Sequence, residues 1–136
     1  MPKPIFVDTL FVIALINRRD QYHDQAIELS ARYADRCFLV TEAVLYEIGN
    51  ALARRWRREA AEVLSHFLAS DDVEIVRPTT ELFDEAFALY RSHTNKTWGL
   101  TDCLSFVVMR RAGVMDGSDD IRQALRSSRI RAAHAG

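Results

Sequence analysis

Apolar residues run from Ile5 to Ile16, broken only by Asp8 and Thr9. The first part of this run, apolar without alternation, predicts a buried strand over Pro4-Ile5-Phe6-Val7-Asp8 of the kind found in parallel sheets. The rest, from Leu10 to Ile16, predicts a helix ending near Asn17. Ala26, Leu29 and Tyr33 recur at helical spacing among charges and predict a helix from Tyr22 to Tyr33. Cys37 to Val40 predicts a second strand, with Thr41 able to cap a helix from Glu42 to about Arg55. A helix over Glu59 to Ala69, a third strand over Val73 to Val76 and a helix over Glu81 to Tyr90 follow. After the loop Asn95-Lys96-Thr97-Trp98-Gly99, Thr101 to Ala112 predicts the last helix. Strands alternating with helices imply βα units, a parallel sheet and helices on both its faces. Ligands of such sheets sit beyond the carboxyl ends of the strands, where Asp8 is expected.

The 136 residues suffice for one domain, here expected over residues 1–116 with a divergent tail over 117–136. A net charge of −1 announces neither nucleic acid nor a membrane surface, although a local basic stripe can still bind phosphate on a neutral protein. Cys37 and Cys103 lie in apolar contexts outside any metal-spaced motif, so two buried, reduced thiols in a cytoplasmic chain are expected. The first apolar run is too short to span a bilayer and carries no small-residue cleavage site.

Three acids matter against this background. An ionised carboxylate within an apolar run is costly without a partner, although Asp8 can also serve as the N-cap of the helix after it. Glu47 falls at the margin of the stripe Val44, Leu45, Ile48, Ala51 and Leu52, where it is either a solvated acid or a site residue. Glu42, nearer the start of that helix, suits its dipole. Asp102 follows Thr101, a potential N-cap, at the start of an apolar helix, and first-turn stabilisation accounts for it equally well.

Taken together, IFVDTLFVIAL, then Glu47-Ile48-Gly49-Asn50, then W-G-L-T-D-C-x-S around Asp102 resemble the PIN-domain nucleases. The similarity is greatest to the VapC-type toxins of prokaryotic toxin–antitoxin pairs and runs in order from about Ile5 to Val114. It implies a three-layer α/β/α domain with a central parallel sheet, at whose carboxyl end the acids bind Mg²⁺ or Mn²⁺. Asp8 and Asp102 correspond to metal ligands, and Glu47 to one acting directly or through water. Thr9 either orients a ligand or bonds to local backbone. The resemblance further implies a Mg²⁺-dependent endoribonuclease, an antitoxin partner and a homodimer. Independently of it, hard divalent cations suit carboxylates, lower the pKa of bound water and offset charge on a scissile phosphate.

Arg54-Arg55-Trp56-Arg57-Arg58 is the densest positive run. It reads either as a solvated helix end or as a place where RNA backbone is held and a base stacks on Trp56. Trp98 reads as packing, and His23, His66 and His93 stand at no ligand spacing. The tail departs from the family pattern, which places a fourth acid there: Asp116, Asp119 and Asp120 are the candidates. With suitable codons, a one-nucleotide shift over residues 117–136 spells a family-like ending, which the coding DNA decides. If the fourth acid is misplaced, the alternative is a catalytically impaired PIN scaffold that binds antitoxin or RNA. A phosphatase with a nucleophilic Asp wants a second Asp two residues on, where Leu10 stands.

Overall fold

The computed structural model describes residues 3–114. Expectations for Asp116, Asp119, Asp120 and the 117–136 tail lie outside them. Within them the order is β1 (Ile5–Phe6), α1 (Thr9–Ile16), α2 (His23–Arg32), β2 (Phe38–Thr41), α3 (Glu42–Ala51), α4 (Arg57–Ala69), β3 (Val73–Val76), α5 (Thr80–Ser92) and α6 (Leu100–Ala112). The fold is the α/β architecture expected from the strand–helix alternation.

The three strands form a parallel sheet in the order β1-β2-β3. Ile5 pairs with Phe38 and Phe6 with Leu39, while Val40 pairs with Ile75 and Thr41 with Val76. Because side chains alternate along a strand, this register sorts the sheet into two faces. Val7 and Phe38 look toward α1, α2 and α4, with which they line a cavity of about 440 Å³. Leu39, Glu74 and Val76 look the other way and meet Leu82 of α5 and Val108 of α6. Helices therefore cover both faces, which makes three layers. Ile5, Phe6, Leu39 and Val40 are essentially without exposure between them, as a sheet buried on both sides requires.

Local chemistry explains the element ends. Thr41, fully buried, accepts the Val44 amide at 3.2 Å and caps α3; Thr79 accepts the Leu82 amide at 3.2 Å and caps α5. Gly113 ends α6 at φ 68°, a left-handed conformation that glycine adopts without a Cβ penalty. Two expectations need correction. The helix after Thr41 stops at Ala51 rather than near Arg55, because residues 52–56 turn to bring Trp56 against the core. Cys37 is exposed, one residue before β2, whereas Cys103 is buried.

Candidate functional site

Two acids are carried to one end of the sheet. Asp8 follows β1 directly, at its carboxyl end, and is half-buried. The opposite end of that strand is tied to the end of α6, since Lys3 Nζ donates to the Gly113 carbonyl at 2.7 Å. Cys103, Leu104, Val107 and Val108 are buried, so α6 lies along the sheet rather than leaving it. From Gly113 back to Asp102 the helix covers about 16 Å at a rise of about 1.5 Å per residue. From Lys3 to Asp8 the extended chain covers about the same length at about 3.3 Å per residue. The first turn of α6, with Asp102 half-buried in it, therefore stands at the level of Asp8.

The two carboxylates are held differently. Asp102 Oδ2 accepts the Gly99 amide at 3.0 Å, fixing the loop-to-helix junction; the N-cap is Gly99, not Thr101 as the sequence suggested. Asp8 occupies the N-cap position of α1, and its carbonyl receives the Val12 amide at 3.4 Å, but its side chain makes no capping bond. Thr9, the first residue of α1, is buried at its shoulder.

Glu47 is exposed on α3, along with Asn50. Glu42, in the first turn of the same helix, is ion-paired with Arg77 and accepts the Tyr46 hydroxyl at 3.4 Å. Its carboxylate is thereby committed to bridging α3 and the end of β3. Among the described residues, no three of His, Cys, Asp and Glu are grouped so as to hold a metal ion. Asp8 and Asp102 are half-buried at helix starts, and Glu47 is exposed on α3. Such a donor set still fits Mg²⁺ or Mn²⁺, because Mg²⁺ usually takes one or two carboxylates and completes its shell with waters and substrate phosphate.

Sequence reasoning missed the surroundings of Asp102. Trp98 packs edge-on against Phe106 with ring centroids 4.9 Å apart, and the His93 ring centroid lies 5.5 Å from that of the indole. Lys96 Nζ sits 5.6 Å from the same ring. Trp98 thus anchors the loop that leads into Asp102, as the packing reading expected. Burial, and then the neighbouring Asp102 carboxylate, push the Cys103 thiol up, so it stays protonated and unreactive. A groove of about 280 Å³ lined by Tyr46, Pro78, Phe83, Leu100 and Thr101 adjoins the start of α6. The larger apolar cavity beneath α1, α2 and α4 is lined by none of the three acids Asp8, Glu47 and Asp102.

A family profile for the PIN domain matches residues 5–115. In sequence the chain is similar to the 23S rRNA-specific endonuclease VapC20 of Mycobacterium tuberculosis, in strains CDC 1551 / Oshkosh and ATCC 25618 / H37Rv. The identity is 31% over 112 residues, covering 82% of this chain and 85% of that protein. In structure it is similar to crystalline Mycobacterium tuberculosis VapC20, described as a Sarcin-Ricin loop cleaving toxin. The TM-score is 0.74 at 31% identity, over 81% of this chain and 84% of that one.

Proposed function

This chain belongs to the PIN domain family, and on that premise we propose that it is a Mg²⁺- or Mn²⁺-dependent endoribonuclease, the toxin half of a toxin–antitoxin pair. What supports the reading is that Asp8 follows β1 at the carboxyl end of the parallel sheet, where α/β proteins of this topology bind ligands, and that Asp102 lies in the first turn of α6, whose far end is tied to the start of the chain. Its relative's activity on 23S rRNA supports RNA as the substrate class.

In this reading Asp8 and Asp102 would hold the cation, and Glu47 would act on it directly or through water. When bound, the ion lowers the pKa of water and neutralises charge developing on the scissile phosphate. The chain supplies orientation: the Gly99 amide fixes one Asp102 oxygen, and the Trp98–Phe106 contact holds the preceding loop. The pairing of Glu42 with Arg77 keeps that acid out of the metal set.

A cognate antitoxin, a homodimer and a cytoplasmic location belong to the same proposal. No helix among the described residues is long and apolar enough to cross a membrane. The exposed, mutually stacked rings of Phe83, Phe87 and Tyr90 on α5 are consistent with self-association. The departure of the sequence after Asp116 from the family pattern favours the impaired scaffold as a second reading. Incubating the full chain with ribosomal RNA separates the two. Discrete fragments with Mn²⁺ and none with chelator support the nuclease; intact RNA under both conditions, with RNA still bound, supports the scaffold.

A further inference from the structure

Among the described residues the arginines fall into two groups, apart from Arg91, whose guanidinium lies 5.8 Å from the centroid of the Phe87 ring. Arg32 pairs with Glu28, Arg77 with Glu42, and Arg110 and Arg111 both with Glu85. Arg36 donates to the Lys3 carbonyl at 2.7 Å. Arg18, Arg19, Arg54, Arg55, Arg57 and Arg58 differ: all are exposed, and none forms an ion pair among the described residues.

These six come from two stretches distant in sequence, and Trp56 joins them. The Arg18 guanidinium lies 5.2 Å from the centroid of the Trp56 ring, which is itself half-buried against the core. The turn after α1 is thereby brought onto the turn between α3 and α4. Arg57 Nε is tied to the Ala53 carbonyl at 3.0 Å, which steadies the second turn. Of the nearby acids, Asp20 accepts the Tyr22 amide, and neither Glu59 nor Glu62 forms an ion pair with these arginines among the described residues. Arg57 and Arg58 moreover occupy the first turn of α4, where the helix dipole disfavours cations. The Arg18–Trp56 contact thus joins two cationic stretches, with two of their arginines against the dipole, and concentrates positive potential there in a protein with net charge −1.

We propose that Arg18, Arg19, Arg54, Arg55, Arg57 and Arg58 form a phosphate-binding face that holds the RNA strand beside the scissile position; the inference rests on the ribonuclease reading. The face lies beyond the end of α1 remote from Asp8, a helix about 12 Å long at about 1.5 Å per residue. It therefore contacts flanking nucleotides, not the reacting phosphate. Because Arg18 covers the indole, Trp56 organises the face and does not stack a base, which replaces the stacking role considered from sequence.

The test measures binding of a labelled single-stranded poly(U) across a salt series, in the full chain carrying Asp8→Asn so that RNA is not cut. Each lost phosphate contact lowers the slope of log affinity against log salt by about 0.7 for a single strand. Arg18→Gln/Arg54→Gln/Arg55→Gln/Arg58→Gln is expected to flatten the slope by about 2 to 3, and Arg110→Gln/Arg111→Gln to leave it unchanged. Circular dichroism checks folding, and Arg55→Gln alone, with a change of about 0.7, serves if the quadruple variant unfolds. Unchanged slopes, equal flattening by the Arg110/Arg111 variant, or loss of poly-glutamate binding with RNA binding intact each overturn the proposal. Failure of the ribonuclease reading is distinguishable: the wild-type chain then leaves ribosomal RNA intact with Mn²⁺, whatever the salt slopes of poly(U) binding.

Discussion

Asp8 and Asp102 stand at the same end of the sheet, each at the start of a helix, yet the fold uses them differently. Asp102 has structural work that its position explains: it accepts the Gly99 amide and closes the first turn of α6. Asp8 sits at the N-cap of α1 without capping it. A capping bond therefore accounts for an acid at Asp102, whereas at Asp8 no such bond is made. The comparison separates what the fold needs from what a metal site needs, and variants at the two positions pull these apart.

The largest expected effect is on cleavage. Asp8→Asn and Asp102→Asn each lower Mn²⁺-dependent RNA cleavage by more than the roughly 100-fold seen when outer partners of metal ligands are lost. A gel assay on ribosomal RNA reads this, and near-normal cleavage by either variant breaks the pairing of the two acids. Stability distinguishes them next. Asp102→Ala loses the capping bond and about 1 kcal/mol, whereas Asp102→Asn keeps an acceptor for Gly99 and loses little. Urea unfolding compares the two; equal losses contradict the capping role. Thr41→Ala, which strips the cap of α3 at a fully buried position, costs about 1–2 kcal/mol in the same measurement without touching either acid.

How far these roles were legible in sequence varies along the chain. The sheet was readable because Ile5-Phe6 and Leu39-Val40 are apolar runs that only a doubly covered strand buries so completely. The acids were readable as a set through their resemblance to a family, and locally each had a bland explanation. What sequence could not supply was long-range contact. The end of α3 at Ala51 depends on Trp56 packing home beneath Arg18, a residue nearly forty positions earlier. The shift of the α6 cap from Thr101 to Gly99 depends on the Asp102 side chain turning back to a backbone amide. Glu42 and Glu47 look interchangeable on the page; only Arg77, arriving after β3, commits one of them elsewhere.

The smallest expected effect lies at the far end of α6, remote from both acids. Hydrogen bonds from Arg111 and then Arg110 hold the Glu85 carboxyl below its ordinary value. A depressed folded pKa means stability that is present above the unfolded value near 4.5 and lost as pH falls through the folded one. Glu85→Gln should therefore narrow the gap to wild type as pH drops below about 4.5, with only a small difference near neutrality, because the group is exposed. Thermal unfolding across pH measures it, and a gap that widens in acid contradicts the assignment.

The central claim is that Asp8 and Asp102 together make one cation site. Calorimetric titration of Mn²⁺ into the full chain tests it most directly. The account predicts a single binding event in the wild-type protein that Asp8→Asn and Asp102→Asn each abolish. Undiminished Mn²⁺ binding in either folded variant would contradict it.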